Sequence, residues 1–294
     1  MARPRISIII ATHNGAAFLE RAICSVLDQE HPAFELIVID AGSSDGTPEL
    51  IRLYERRIAA WRRLPPTSAP EAVNLGLSCA RGRIIGILPA FALYLPGSLR
   101  AVEQSFSRDN AMRWLIGTSL CLGGRDRVIG RREGRAPQTL AEWLSGDGPR
   151  LPGASSFFRR ELFDWYGLFD TTLPRGWRYE HACRLLAHGE SPQVERVELA
   201  AARPVRRFGT VSIRHDLQHL AAVRRYATWV ADADRRALAA SARRRHREGI
   251  LALARARGGV QGRRLIMHHL LRRPAWLGDD AVRRFLNEHA IPAR

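Results

Sequence analysis

The feature that most constrains the fold is an alternation of short β-branched runs with amphipathic stretches near the amino terminus. Residues 6–11 (ISIIIA) and 35–40 (ELIVID) are apolar enough to form strands that are buried on both faces. Between them, residues 16–29 repeat apolar side chains at helical spacing, and Thr47 and Pro48 begin a second helix. Strand, helix, strand and helix in this order predict a parallel, doubly wound α/β sheet. Such sheets bind ligands beyond the carboxyl ends of their strands.

Several motifs follow one another along residues 5–190 in an order that makes a family resemblance specific. They are THN at 12–14, DAGSSDGT at 40–47, NLGL at 74–77, SSFFRRELF at 155–163, GLFD at 167–170 and YEHACRL at 179–185. With these motifs the chain resembles family 2 glycosyltransferases, which have the GT-A fold. The resemblance implies an α/β protein with a Rossmann-like mixed sheet flanked by helices. It also implies a nucleotide-diphospho-sugar donor, usually a UDP- or dTDP-sugar, and transfer with inversion.

Thr12, Asn14, Asp40 and Asp45 form the predicted nucleotide-binding set. In the family, the positions of Thr12 and Asn14 lie at the end of the first strand, and the position of Asp40 holds the base and ribose. A carboxylate suits that role because it accepts hydrogen bonds from ribose hydroxyls or a base N–H. Asp45 shapes the turn beside it. The alternative is that these residues only form turns and cap a helix, as Asp and Ser often do.

The segment at which the family holds a divalent cation reads Pro89-Ala90-Phe91-Ala92 in this chain. Relatives have aspartates here, and the bound cation neutralises the sugar diphosphate. The apolar strand before the segment and the helix start after it keep the alignment in place, and shifting it recovers no aspartate. We therefore predict no metal cofactor, with the nucleotide-sugar donor as substrate.

The general base is the second position that departs from the family pattern. Six residues before Arg184 the family has an aspartate, and this chain has Arg178, whose guanidinium cannot accept a proton. Glu180, two residues further on, is the remaining candidate for the catalytic base. Alternatively, Glu180 caps the helix that begins there. His181 is also polar, but a single histidine at a helix start is more often structural.

Arginines offer one way to neutralise a diphosphate without a metal ion. A guanidinium binds phosphate in a bidentate manner, and Arg81, Arg83 and Arg178 lie in segments that border the pocket in relatives. We predict these three residues as compensating cations. The alternative is that they reflect composition and mark a decayed site, because all 46 basic residues of the chain are arginine.

The basic character of the chain is concentrated towards its carboxyl terminus. Residues 200–294 contain 21 arginines and seven acidic residues, a net charge of +14 out of the chain's +17. Residues 214–247 and 263–276 combine arginine clusters with apolar side chains at helical spacing. The predicted domains are a GT-A domain over 1–213, with a nucleotide-binding half (1–100) and an acceptor half (101–213), and a basic helical region over 214–294.

Basic amphipathic helices suit an anionic membrane surface, and the same charge suits an acidic protein partner. The alternative is that the helices pack on the chain's own domain and present a solvated basic face. No motif of a nucleic-acid reader occurs, so nucleic acid is not an expected partner.

Cellular location follows from what the sequence lacks. The four cysteines are far apart and form no C-x-x-C pair, which favours reduced thiols. No apolar run is long enough to span a membrane, and no signal-peptide pattern begins the chain. We therefore expect a cytoplasmic protein, peripheral on the inner face of the membrane if the basic region binds there.

Two functions stay open at this point. The first is a glycosyltransferase that builds a cell-surface polysaccharide or glycolipid and is metal-independent if active. The second is a catalytically inactive GT-A pseudoenzyme that binds nucleotide and acts as a regulator or scaffold.

Overall fold

The computed structural model describes residues 4–137, 139–145, 151–203, 221–257 and 259–288. The chain divides into two compact units, Met1–Val205 and Arg206–Arg294. The domain boundary predicted after residue 213 falls within residues 204–220, which lie outside the described ranges, so that boundary stays a prediction.

The described part of the first unit contains one mixed sheet. Its strands are β1 (Ile6–Thr12), β2 (Phe34–Asp40), β3 (Ala60–Arg63), β4 (Ile84–Ile87), β5 (Ala92–Tyr94), β6 (Trp114–Leu122), β7 (Val128–Arg132), β8 (Ser156–Arg159) and β9 (Gln193–Ala202). Their order across the sheet is β3-β2-β1-β4-β8-β6-β9-β5, and β7 pairs with β6.

Helices connect these strands. They are α1 (Ala16–Leu27), α2 (Thr47–Leu53), α3 (Ala69–Cys79), α4 (Ser98–Arg108), α5 (Leu140–Ser145), α6 (Glu161–Tyr166) and α7 (Trp177–Ala187). Short 3-10 turns occupy Glu55–Arg57, Gly124–Asp126 and Gly153–Ser155. The predicted mixed sheet flanked by helices is confirmed.

Helices cover both faces of the parallel part of the sheet because its strands are apolar on both sides. Ile8 and Ile10 of β1 belong to the same core as Leu19 of α1. Ile9 points to the opposite face, since side chains alternate along a strand. There α3 approaches closely through Gly76, where a β-carbon would come within 2.4 Å of the Ile9 side chain.

The carboxyl ends of the parallel strands meet at one edge of the sheet, which we call the carboxyl edge. Thr12 at the end of β1 is in register with Asp40 of β2, and Asp40 is in register with Arg63 of β3. β8 runs antiparallel to β4, so the Gly153–Ser155 turn that precedes β8 reaches the same edge. This is the edge at which the sequence predicts ligand binding.

The second unit is helical where it is described. Residues 221–226 are helical. Three longer helices follow, α8 (Asp232–Arg257), α9 (Gly259–Arg272) and α10 (Asp280–Glu288). Two 3-10 turns, Ala227–Trp229 and Pro274–Gly278, precede α8 and α10 respectively. Ile250, Ile266, Trp276 and Phe285 are part of its core. The predicted helical region is thus confirmed over residues 221–257 and 259–288, whereas residues 214–220, 258 and 289–294 lie outside the described ranges.

None of the described helices is both long enough and apolar enough to cross a lipid bilayer.

Candidate functional site

Two buried polar atoms without a hydrogen-bond partner mark the carboxyl edge. They belong to Thr12 and Asp40, which end neighbouring strands and are only 4% and 0% exposed. Neither Thr12 Oγ1 nor Asp40 Oδ2 has a hydrogen-bond partner within the protein. Gly15 leaves the space beside the Thr12 hydroxyl open, since a β-carbon there would come within 2.2 Å of Oγ1. Unpaired buried polar atoms are costly, and the nucleotide-binding role of Thr12 and Asp40 stays a prediction that this geometry is consistent with.

Asp40 is held in place from two sides. The Ser43 backbone N–H donates to Asp40 Oδ1 at 3.0 Å. Arg63 brings its Nε to 3.5 Å from Asp40 Oδ2 and donates to the Ser43 carbonyl oxygen at 3.0 Å. Half of the Arg63 side chain is exposed, so a ligand that reaches Asp40 Oδ2 also meets this guanidinium.

Asn14 and Asp45 join the loops that follow β1 and β2. Asn14 Oδ1 accepts a hydrogen bond from the Ser44 N–H at 2.9 Å. Asp45 accepts from the N–H groups of Ala16 at 3.2 Å and Thr47 at 3.0 Å, and hydrogen bonds from Thr47 lower the pKa of its carboxyl group. The structure therefore brings the whole predicted nucleotide set to the carboxyl edge. Direct contact of Asn14 and Asp45 with a nucleotide stays a prediction.

The segment expected to hold a metal ion forms a turn beside Gly15. The Ala92 N–H donates to the Pro89 carbonyl at 2.9 Å, and a β-carbon at Gly15 would lie 3.6 Å from the β-carbon of Ala90. The side chains of this turn, including exposed Phe91, contain no oxygen, so they do not fit a divalent cation. In the part of the chain that the structure describes, no three His, Cys, Asp or Glu side chains are grouped to hold a metal ion.

Arg81 lies at the opposite, amino edge of the sheet, so its prediction as a diphosphate-binding cation is wrong. Its Nη2 pairs with Glu35 Oε2 at 3.0 Å, and its N–H donates to Glu35 Oε1 at 2.6 Å. Glu35 is in register with Ser7, which lies about 17 Å from Thr12 along β1. Burial alone would raise the pKa of Glu35, but hydrogen bonds from Ser7 and Arg81 outweigh it and lower that pKa. Arg81 therefore stabilises the amino edge.

Arg83 is placed at the amino edge as well. It immediately precedes Ile84, which is in register with Ile6 at the start of β1. Its carbonyl oxygen accepts a hydrogen bond from the Arg160 N–H at 2.8 Å. The whole length of β4 separates Arg83 from the carboxyl edge, so the prediction for Arg83 is wrong for the same reason.

Arg178, in contrast, lies at the carboxyl edge. It is exposed in the first turn of α7. Its side chain packs beside Gly153, and its guanidinium carbon lies 4.1 Å from the centre of the Trp177 ring. Gly153 belongs to the turn before β8, which contacts β5 and β9. The role of Arg178 as a diphosphate-binding cation stays a prediction.

Glu180, the candidate base, is enclosed within the first unit and is only 1% exposed. Its Oε2 accepts a hydrogen bond from Arg184 Nη2 at 3.0 Å, one helical turn later. Arg184 also donates to the carbonyl oxygens of Tyr166 at 2.6 Å and Leu168 at 2.8 Å. A base must come within hydrogen-bond reach of the acceptor hydroxyl. The geometry favours a structural ion pair, and the role of Glu180 as base stays a prediction.

His181 is structural, as the sequence indicates. It is 2% exposed, and its ring stacks on that of Phe163 with a centroid separation of 5.1 Å. Burial, and then the charge of Arg184, lower its pKa to about 3. His181 is therefore a neutral aromatic side chain of the core at physiological pH.

A pair of arginines that the sequence analysis did not identify, Arg203 and Arg21, lies beside the turn of residues 89–92. Arg203 follows β9, and its backbone N–H donates to the Phe91 carbonyl of that turn at 3.3 Å. The Arg203 guanidinium donates to Asp126, which also pairs with Arg21 at 2.6 Å. The hydrogen bond from Arg21 and the charges of both arginines lower the pKa of Asp126. No sequence signal distinguishes Arg203 among 46 arginines, because it is the pairing of β9 with β5 that brings it here.

A family model described as Glycosyl transferase family 2 matches residues 7–166 of the chain. Among curated relatives, the putative teichuronic acid biosynthesis glycosyltransferase TuaG of Bacillus subtilis is 35% identical over 89 residues, which are 29% of this chain. The chain spans 35% of the length of that protein and 56% of the length of another matched glycosyltransferase.

Solved structures share the fold. S. aureus TarS 1-349 in complex with UDP-GlcNAc has a TM-score of 0.63 and 17% identity, covering 82% of this chain and 72% of that one. The mannosyltransferase PcManGT from Pyrobaculum calidifontis, in complex with GDP-Man and Mn²⁺, has a TM-score of 0.59 and 20% identity, covering 97% and 86%. At these identities the likeness shows the fold alone. None of these comparisons supports an inactive pseudoenzyme.

Proposed function

Because this chain belongs to glycosyl transferase family 2, we propose that it transfers a sugar from a nucleotide-diphospho-sugar to a cell-surface polysaccharide or glycolipid acceptor, with inversion. The observation that carries the proposal is a pair of buried atoms at the carboxyl edge that lack a hydrogen-bond partner, Thr12 Oγ1 and Asp40 Oδ2; the second also has the Arg63 Nε at 3.5 Å. The relative assigned to teichuronic acid biosynthesis supports the class of acceptor.

The arrangement around Asp40 suits the nucleoside half of a UDP-sugar. The Ser43 N–H donates to Asp40 Oδ1, and Asp40 Oδ2 has no hydrogen-bond partner, so Oδ2 is the oxygen that we assign to a donor of the base or ribose. Arg63 lies next to that oxygen and donates to acceptors. Uracil has one ring N–H between two carbonyl groups, which matches one acceptor beside one donor. TarS, which shares the fold, was solved with UDP-GlcNAc.

The reaction places negative charge on the departing diphosphate. The acceptor hydroxyl gives its proton to a base, for which Glu180 is the predicted residue, as its oxygen attacks the anomeric carbon. The bond from that carbon to the diphosphate oxygen breaks, and the diphosphate oxygen leaves with the electron pair. The turn of residues 89–92 has no metal-binding side chains, which supports a metal-independent reaction in which side-chain cations stabilise this charge. Arg178 is the predicted cation that the structure places at the carboxyl edge.

The direct test is calorimetry of UDP binding to the full chain, with and without Mg²⁺ or Mn²⁺. We expect UDP to bind, and we expect either metal to change its Kd by less than about threefold. A metal-dependent gain of about tenfold or more, roughly 1.4 kcal/mol, would contradict metal independence. Absence of UDP binding under all conditions would contradict the donor class.

We also propose that the basic helical unit binds an anionic membrane surface. On α9, the side chains of Val260, Met267 and Leu271 are 52%, 45% and 83% exposed, and their spacing puts them on one face of the helix. Arg264 is exposed on the same face, and Arg272 is exposed at its side. An exposed helix face that combines apolar side chains with cations fits the boundary between lipid headgroups and acyl chains.

Leu271→Glu should weaken binding to anionic phospholipid vesicles about tenfold or more. The change removes an apolar side chain worth about 1.5–3 kcal/mol when buried and adds a charge that anionic lipid repels. Leu53→Glu is the matched control, because Leu53 is 79% exposed in the first unit. Co-sedimentation at low and high salt measures both variants. Equal binding by the two variants, or binding to neutral vesicles alone, would contradict this role, and capture of an acidic protein without vesicle binding would point to the other partner class.

A further inference from the structure

We propose that Arg203 binds the donor diphosphate and supplies there the positive charge that a metal ion supplies in relatives. The inference rests on the proposed function, since it takes a nucleotide-diphospho-sugar as the ligand. Arg203 takes the role that was predicted for Arg81 and Arg83, which lie at the amino edge. The tertiary structure places Arg203 beside the turn of residues 89–92.

Main-chain contacts hold Arg203 beside the turn of residues 89–92. Ala202, the last residue of β9, is in register with Ala92 of β5. The next residue, Arg203, then donates its N–H to the Phe91 carbonyl. The Arg203 side chain is therefore attached to the backbone beside the turn of residues 89–92, the segment that carries metal-binding aspartates in relatives.

The charge around Arg203 is unbalanced in favour of an anion. Within the described ranges, Asp126 supplies the one carboxylate that pairs with either Arg203 or Arg21, so two cations share one anion there. Asp126 is ionised here, because the hydrogen bond from Arg21 and the charge of Arg203 lower its pKa. A carboxylate and a phosphate offer the same forked acceptor geometry to a guanidinium. We infer that Asp126 holds Arg203 in the free protein and that the diphosphate takes its place.

The hairpin turn that carries Asp126 sets the position of its carboxylate. Arg125 and Asp126 have φ angles of 51° and 57°, and the Arg127 N–H donates to the Gly124 carbonyl at 3.3 Å, as in a type I′ hairpin turn, whose two central residues both have positive φ. From this turn Asp126 pairs with Arg21 and Arg203, and the Arg203 side chain remains 34% exposed.

The experiment compares a ligand that has the diphosphate with one that lacks it. UDP binding is measured by calorimetry and uridine binding by ligand-observed NMR, on wild type, Arg203→Gln and Asp126→Asn. We expect Arg203→Gln to weaken UDP about tenfold or more and to leave uridine unchanged, as expected for loss of a hydrogen bond to a charged group. We expect Asp126→Asn to bind UDP as tightly as wild type or more tightly, since Arg203 is then released.

Asp126→Asn separates this role from a structural one. If Arg203 only anchored the hairpin, Asp126→Asn would weaken UDP as much as Arg203→Gln, and that result would overturn the inference. Unchanged UDP binding by Arg203→Gln would also overturn it while the proposed function stands. A wild type that binds no UDP would overturn both. Should Arg203→Gln fail to fold, Arg203→Lys keeps the charge without the fork, and we expect a smaller, UDP-specific loss.

Discussion

Replacing Asp40 by asparagine should weaken UDP binding about 30-fold or more without unfolding the protein. The new amide keeps the volume of the side chain, and its oxygen can still accept the Ser43 N–H that now bonds Oδ1. Its NH₂ group then occupies the place of Oδ2, which has no hydrogen-bond partner, and meets the donors of the base or ribose. The half-exposed Arg63 guanidinium, 3.5 Å from Oδ2, loses its ion pair but stays solvated. Loss of a hydrogen bond to a charged acceptor costs about 2 kcal/mol or more, which corresponds to this change in Kd.

Asp28→Asn is the matched control for this experiment, because Asp28 is exposed and pairs only loosely with Arg57 at 3.6 Å. We expect it to bind UDP like the wild type in the same calorimetric titration. Asp40→Asn that binds UDP normally would remove Asp40 from the nucleotide site. Weakened binding together with a large drop in the thermal midpoint would mean that the residue holds the loop and not the ligand.

Glu180→Gln should lower the free energy of unfolding by about 3 kcal/mol, which we expect to be the larger of its effects. Glu180 is buried and accepts a hydrogen bond from Arg184, whose side chain is 18% exposed. Removing one charge of a buried pair leaves the other charge without its counterion. Arg184 retains its bonds to the Tyr166 and Leu168 carbonyls, which places the cost at the lower end of the range for buried pairs.

Chemical denaturation of Glu180→Gln and Glu49→Gln in parallel measures this difference. Glu49 pairs with Arg52 at 3.3 Å on α2, and both side chains are more than half exposed. Exposed pairs of this kind contribute below about 1 kcal/mol, so the control should unfold almost like the wild type. A Glu180→Gln protein of normal stability that has lost sugar transfer would instead identify Glu180 as the catalytic base.

Much of the candidate site could be predicted from local sequence. The runs at 6–11 and 35–40 are β-branched and apolar, so they form adjacent buried strands, and their ends place Thr12 and Asp40 together. The absence of metal-binding side chains at 89–92 is likewise a property of the sequence. The apolar strand before the segment is enough to align it with the metal-binding segment of the family.

The arginines show where local reasoning is incomplete. Arg83 immediately precedes a buried parallel strand, and this order alone assigns it to the amino edge, away from the predicted ligand. The sequence therefore held the signal that corrects Arg83. The same order assigns Arg81, two residues earlier, to that edge, and only its pairing with Glu35, 46 positions away in the chain, required the structure.

The sequence by itself determined the class of fold and the edge at which a ligand is predicted to bind, because strand burial and strand direction follow from local pattern. The family resemblance, and no local pattern, identified residues 89–92 as a segment without metal-binding side chains. Only the tertiary structure decided which cations reach that edge. Arg203 lies beside Phe91 because β9 pairs with β5, and Arg21 meets Asp126 because α1 and the β6–β7 hairpin are brought together. Those contacts join distant parts of the chain. A guanidinium has the same chemistry at every position, so its function is set by the neighbours that folding gives it.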